Sequence, residues 1–284
     1  MKTLLEIVNL STQHLHDKGI AGARRQAQDL ICDALGIDRV TLYMEHDRPL
    51  SDPELSVLRQ RLARRAQGEP NPYIHGEVYF GDCIFQVKRD EVLIPRQETE
   101  ILWEKIVQTL EKEPSLQNKV LWDICCGSGC LGIALKKHFP TLNVVLADIC
   151  PKALAIARQN ATLNGVDVEL LEGDLLAPFA GRRADFFVCN PPYISEGEYA
   201  KLDWEVRGYE PRKALVGGDT GLEFYQRLAR ELPAFLNPSA KSWFELGTGQ
   251  SQAVLALFAQ APWKGQSAEV DWSGHDRFFF LEIE

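Results

Sequence analysis

A chain of 284 residues, 45% hydrophobic and 25% charged, has the composition of an ordinary globular protein and the length for one large domain beside a small one. No apolar run reaches the roughly 20 residues needed to span a bilayer, which excludes a helical membrane protein from consideration at this stage. The net charge is −9 and falls entirely after residue 72: the first 72 residues carry ten basic and ten acidic side chains, the rest 21 and 30, the wrong sign for gripping long nucleic acid.

Met1–Val8, with an acid at Glu6, reads as an amphipathic helix rather than a leader peptide. Leu4, Leu5 and Val8, then Ala23, Ala27, Leu30, Ile31, Ala34 and Leu35, recur at three- and four-residue spacing, and Gly36 is placed to end the second helix. Ser51-Asp52-Pro53-Glu54 is a capping box opening a helix through Leu55, Leu58 and Leu62. Arg59, Arg61, Arg64 and Arg65 on that helix read as a solvated face. Residues 1–70 are therefore predicted to be a small helical bundle with no chemistry of its own, suited to recognising a partner.

Gly68-Glu69-Pro70-Asn71-Pro72 breaks the helical pattern. Alternation from Tyr73 to Val87 around Gly81-Asp82 predicts a β-hairpin, making 71–90 a linker. From Val120 the pattern becomes strand, turn, helix, repeated. Strands are expected at Val120–Ile124, Val144–Ala147, Val168–Leu171, Phe186–Cys189 and Lys241–Leu246, with a terminal hairpin at Glu269–Trp272 and Phe278–Ile283. This predicts an α/β fold over residues 91–284, a doubly wound, mostly parallel sheet with antiparallel strands at one edge.

The turn after the first of these strands, Gly127-Ser128-Gly129-Cys130-Leu131-Gly132, fits the G-x-G-x-x-G pattern, with Asp148 about 20 residues on. A nicotinamide dinucleotide and S-adenosylmethionine both fit that pattern. Asp123, inside the strand end, suits a ligand ammonium and is awkward beside a pyrophosphate. Asp174-Leu175, after the third strand, lies where an adenine edge is held. The fourth strand ends in Asn190-Pro191-Pro192-Tyr193, where prolines stop the ladder and leave an amide and a carbonyl beside an aromatic ring. Such a clamp suits a planar group bearing NH2, which hydride transfer does not need, so S-adenosylmethionine is the favoured cofactor, with S-adenosylhomocysteine its product. Seven cysteines, an odd number without Cys-x-x-Cys spacing, predict free thiols in a reducing cytoplasm and no metal site.

The ordered set Gly68-x-Pro70-x-x-Tyr73-x-x-Gly76, Leu93-Ile94-Pro95-Arg96-x-Glu98-Thr99-Glu100, Asp123 to Gly129, Asp148, Asn190 to Ile194, Tyr209-Glu210-Pro211, Gly217-Gly218-x-x-Gly221 and Gly274-His275-Asp276-Arg277 resembles the HemK/PrmC family. These are protein-(glutamine-N5) methyltransferases that modify bacterial peptide chain release factors. The resemblance covers nearly the whole chain and implies a Rossmann-like methyltransferase domain behind a helical bundle and hairpin. It further implies methylation of the glutamine of a Gly-Gly-Gln motif, in translation termination, by a cytoplasmic monomer without stable nucleic-acid or membrane partners. Asn190, Pro191 and Tyr193 become the catalytic residues, with Pro192 completing the substrate clamp. Asp123, Cys125, Cys126, Gly127, Ser128, Gly129, Asp148, Asp174, Leu175 and Asn190 become the cofactor residues. Arg96, Glu98 and Thr99 read as a lip over the cofactor or a salt-bridged helix start, and Glu245 as a further pocket wall outside the assigned site. The family usually has glycine where Cys125 stands, so a shifted loop is expected there. The rival reading of the same clamp is an adenine-N6 DNA methyltransferase, which must hold a charged duplex and flip a base.

Overall fold

The computed structural model describes residues 2–260 and 262–284. The chain divides into two compact units: the described residues up to Gly76 together with Asp203–Tyr209, and Glu77–Leu202 together with Glu210–Glu284.

The first unit is helical: Leu4–Asp17, Ala23–Leu35, Arg39–Met44, Asp52–Ala66, Asn71–His75 and Trp204–Tyr209. Reciprocal capping boxes open two of these helices, with Thr3 against Glu6 and Ser51 against Glu54. Gly36 ends the second helix at φ +63, as its position predicts. Leu4, Val8, Ile31, Leu42, Leu50 and Leu58 form its core, whereas Leu5 faces outward. The basic run is a solvated face only in part: Arg59 and Arg64 are exposed, whereas Arg61 is half-buried and Arg65 buried. Arg61 pairs with Asp33, Arg64 forks onto Glu69 (2.6 and 2.7 Å), and Arg65, almost fully buried, donates to both oxygens of Glu205 at 2.9 and 3.0 Å. Gly68 adopts φ +90 with the Trp204 ring over its α-carbon; a β-carbon there would lie 1.9 Å from two ring atoms. Tyr73 to His75 are helical rather than extended, because Pro72 sits in the first turn of Asn71–His75 and Gly76 ends it at φ +96.

In the second unit, β1 (Glu77–Phe80) and β2 (Cys83–Gln86) form the hairpin. Five parallel strands follow: β3 (Val120–Ile124), β4 (Asn143–Asp148), β5 (Glu169–Glu172), β6 (Ala184–Cys189) and, after a short parallel pair β7 (Ile194–Ser195) and β8 (Val216–Gly218), β9 (Leu236–Glu245). β10 (Trp263–Val270) and β11 (Asp276–Ile283) add antiparallel strands at the edge, so the sheet order is β10-β11-β9-β6-β3-β4-β5. This is the α/β architecture that the strand–helix alternation predicts. β9 begins earlier than its apolar run suggested, passing through Asn237-Pro238-Ser239.

The central strands bury both faces, so neighbouring residues serve opposite layers. Leu121, Val144, Leu146 and Phe186 pack under the helices Gln97–Leu110, Cys130–His138 and Pro151–Leu163. Trp122, Val145, Phe187 and Phe244 pack under Glu223–Glu231 and Ser251–Leu257. Strand order reverses at β3, flanked by β4 and β6, and the carboxyl ends at such a reversal are where open α/β sheets hold ligands. Among the described residues no helix is long and apolar enough to cross a membrane.

Candidate active site

The turn after β3 needs three residues in the left-handed region: Cys125 at φ +57, Gly127 at +53 and Gly129 at +79. Residue 125 therefore does not escape the left-handed region. Cys125 takes the positive φ itself, accepting the strain that a β-carbon brings there. Gly129 caps the helix Cys130–His138, and a β-carbon on it would lie 2.7 Å from Ile133. Gly132 lets that helix sit against β4, since its β-carbon would be 2.3 Å from Leu146.

Two acids at strand ends brace this turn. Asp123 Oδ2 accepts the Gly132 N–H at 2.8 Å. Asp148 accepts the Gly127 N–H through Oδ2 and the Cys150 N–H through Oδ1, each at 2.9 Å. Burial pushes the Asp123 carboxyl up to about 7, against the Gly132 hydrogen bond and with help from the nearby Asp148 charge. Burial also raises Asp148, opposed by its amide donors. Asp174 instead forms a two-fold ion pair with Arg227 (2.9 and 3.0 Å), leaving its carboxylate half exposed, and Leu175 follows at φ +50 with its side chain buried.

β6 delivers Asn190 to the same sheet edge. Pro192 and Tyr193 are pressed by the glycine loop around β8: a β-carbon on Gly217 would lie 2.3 Å from the Pro192 carbonyl oxygen, and one on Gly221 2.3 Å from that of Tyr193. Tyr193 also accepts from Gln250 Nε2 at 2.8 Å through its carbonyl. Gly217 and Gly221 thus let two main chains touch, while Gly218, at φ +121, makes room for the Glu223 side chain.

A cavity of about 390 Å³, within the range of ligand sites, gathers Asp123, Cys125, Cys126, Gly127, Ser128, Asp148, Asp174, Leu175, Asn190 and Pro192. Gly129, the helix cap, does not line it, nor do Pro191 and Tyr193. Of the lip residues, Arg96 and Thr99 line the cavity and Glu98 does not. Arg96 Nη2 donates to both oxygens of buried Glu210 at 2.6 Å.

Sequence reasoning missed the weight of Glu245. It ends β9 with only 1% of its surface exposed, and three side chains donate to it. Oε2 accepts from Thr99 Oγ1 at 2.6 Å and from Asn190 Nδ2 at 2.9 Å, and Oε1 from the Tyr193 hydroxyl at 3.1 Å. Burial raises its carboxyl, opposed by the Thr99 and Tyr193 hydrogen bonds and the Arg277 charge. Burial first, then the Glu245 charge, pushes the Tyr193 phenol well up, so it stays protonated. The one sequence signal was an acid following Trp243-Phe244 at the strand's end. Ile149 and Phe224, apolar walls of the cavity, were also passed over.

A doubly wound sheet with a glycine turn after its first strand, an acid ending the second and an Asn-Pro-Pro-Tyr clamp ending the fourth defines a Rossmann-like methyltransferase. The family model "Methyltransferase small domain" matches residues 99–205 and "PrmC N-terminal domain" matches residues 6–76. The solved T. thermophilus 16S rRNA N2 G1207 methyltransferase, in complex with AdoMet and guanosine, shares the fold with a TM-score of 0.52 and 14% identity, covering 73% of this chain and 50% of that one. A curated relative from Chlamydia trachomatis serovar L2, named release factor glutamine methyltransferase, is 42% identical over 98% of this chain and 93% of its own. One of the same name from Geobacter sulfurreducens is 39% identical over 97% and 95%. The chain belongs to the release factor glutamine methyltransferase family, as its ordered motifs imply.

Proposed function

We propose that this chain transfers a methyl group from S-adenosylmethionine to the side-chain amide nitrogen, N5, of the glutamine in the Gly-Gly-Gln motif of peptide chain release factors. The observation that carries the reading is that Asn190 of the clamp and the acid-braced glycine turn face one cavity.

The residues fit the cofactor. Its ammonium and sulfonium are cationic, and Asp123 and Asp148 are acids held in low dielectric with raised affinity for a positive partner. A pyrophosphate there would meet Asp123 as a like charge. Asp148 keeps lone pairs for ribose hydroxyls beyond those taken by Gly127 and Cys150. Because Arg227 occupies the Asp174 carboxylate, an adenine edge falls to the main chain of Asp174-Leu175 and the apolar walls Ile149 and Phe224. When bound, S-adenosylmethionine supplies an electrophilic methyl carbon on a sulfur that leaves as a thioether.

An amide nitrogen is a poor nucleophile because its lone pair is delocalised into the carbonyl. Asn190 Oδ1 and the Pro191 carbonyl accept the two amide hydrogens and so favour a localised lone pair. Tyr193 acts through its hydrogen bond to Glu245, the anchor it shares with Asn190, rather than as a wall of the cavity. No general base stands in the clamp, so positioning carries the reaction and the proton is lost to water after transfer. Holding the reactants in line supplies up to about 7–11 kcal/mol, and an oriented polar group typically adds about 3–4 kcal/mol. The helical first unit serves to recognise the release factor.

Mass spectrometry of a release factor incubated with the enzyme and S-adenosylmethionine tests this. A gain of about 14 Da on the Gly-Gly-Gln glutamine is expected, lost with Asn190→Ala while cofactor binding persists. An unmodified factor, or full activity in Asn190→Ala, refutes the reading.

A further inference from the structure

The hydrogen bonds at the end of β9 determine which way round the Asn190 amide stands. Its Nδ2 arm lies 2.9 Å from Glu245 Oε2 and 3.2 Å from Thr99 Oγ1. Thr99 gives its single hydroxyl proton to the same Oε2 at 2.6 Å, so it has only lone pairs to offer Asn190. Both neighbours of that arm are therefore acceptors, and only an NH2 satisfies them; the flipped amide would set an oxygen against two oxygens. The orientation is the same whether or not Glu245 is charged. A proton on the carboxyl sits on Oε1, where the Tyr193 hydroxyl can accept it, and Oε2 remains an acceptor.

With its NH2 anchored on Glu245 and Thr99, Asn190 presents Oδ1 on its other arm and meets the cavity as an acceptor. We propose that Glu245 is a positioning residue which, with Thr99, locks the Asn190 amide in that orientation and so makes the site select a carboxamide side chain over a carboxylate. A glutamine brings two N–H donors to the clamp. A glutamate in its place brings only acceptors and a negative charge, set against Oδ1 with a buried acid behind it. A site built to accept N–H groups rejects a ligand without them because its own acceptors are left unpaired. Sequence alone supplies the clamp but not its polarity, since an asparagine presents a donor or an acceptor with equal ease.

This rests on the reading that Asn190 binds the substrate amide. The test compares binding of the release factor with that of its Gly-Gly-Glu variant, each to the full-length enzyme with S-adenosylhomocysteine present. Wild type is expected to favour the glutamine form by at least about tenfold. In Glu245→Leu, which keeps the bulk and removes the acceptor, the preference should fall to within about twofold and kcat drop by about 100-fold, with cofactor affinity held within about threefold. Glu245→Gln should restore the preference, because its oxygen can take the Oε2 place while its NH2 faces the Tyr193 hydroxyl. A full preference retained in Glu245→Leu, or one lost equally in Glu245→Gln, overturns the proposal. A second readout needs no Glu245 variant. The Asn190 side-chain NH2, assigned by its disappearance in Asn190→Ala, should exchange with water at least about tenfold more slowly than surface asparagine amides. Fast exchange overturns the locked orientation even if the enzyme folds and binds normally. An unmethylated release factor with slow exchange at Asn190 would sink the proposed substrate and leave the orientation standing.

Discussion

Asn160 brackets the main chain of Gln86, accepting its N–H at 2.7 Å and donating to its carbonyl at 3.1 Å. One helical turn on, Asn164 does the same to Ile84 at 3.1 and 2.8 Å. Spaced four residues apart on one helix face, the two amides imitate the edge of a neighbouring strand and satisfy the open side of β2. Asn160 also donates to the Ser128 carbonyl at 2.9 Å, so hairpin and cofactor turn share one fully buried side chain. Asn160→Ala leaves the Gln86 and Ser128 groups without these partners. The expected cost is about 2–4 kcal/mol, read as a lowered thermal midpoint, together with weaker cofactor binding. An unchanged midpoint would show the bracket to be incidental.

The Asp123 carboxyl, pushed by burial up to about 7, makes stability depend on pH in a definite direction. Between its ordinary value of 3.8 and about 7 the folded state holds a proton that the unfolded chain has released. The contribution to stability is therefore complete below pH 3.8 and is lost as pH rises through about 7. Asp123→Asn keeps an acceptor for Gly132 without the titration. Relative to that variant, the cofactor-free wild type should lose up to about 1.4 kcal/mol per pH unit across this window. A cationic ligand should discharge the same proton, so calorimetry near pH 6.5 in buffers of different ionisation enthalpy should show release in wild type and less in Asp123→Asn. Parallel stability profiles for the two proteins would remove the buried-acid account.

How much of this was readable beforehand follows from which interactions are local. The strand–turn–helix alternation, the capping box at Ser51 and the helix stop at Gly36 each depend on a few adjacent residues, and each stands as read. The elements that escaped depend on partners far along the chain. Arg65 looks like a surface cation until Glu205, 140 residues away, is brought to it. Asn160 reads as one more polar helix residue until β2 arrives beside it. Glu245 reads as a strand-end acid until Thr99 on one segment and Asn190 and Tyr193 on another converge on it. The clamp's residues were legible because the two prolines announce a strand end. The clamp's polarity was not, because it is decided by what stands behind it.

Cys125 offers the last test, because its conformation and its side chain pull in opposite directions. At φ +57 a residue with a β-carbon is strained by about 1–2 kcal/mol. Against this, the thiol is partly buried against the Trp122 and Phe187 cluster, and cysteine restricts the unfolded chain more than glycine does. The terms are of similar size, so Cys125→Gly should change stability by less than about 1 kcal/mol and leave cofactor affinity nearly intact. Cys125→Val puts a branched β-carbon at the same φ and should cost at least about 2 kcal/mol while weakening the cofactor site. Thermal melts with cofactor titrations on both variants check this. A Cys125→Val protein as stable as wild type would mean that the turn relaxes out of the left-handed region at no cost, and the conformation assigned to residue 125 would fall with it.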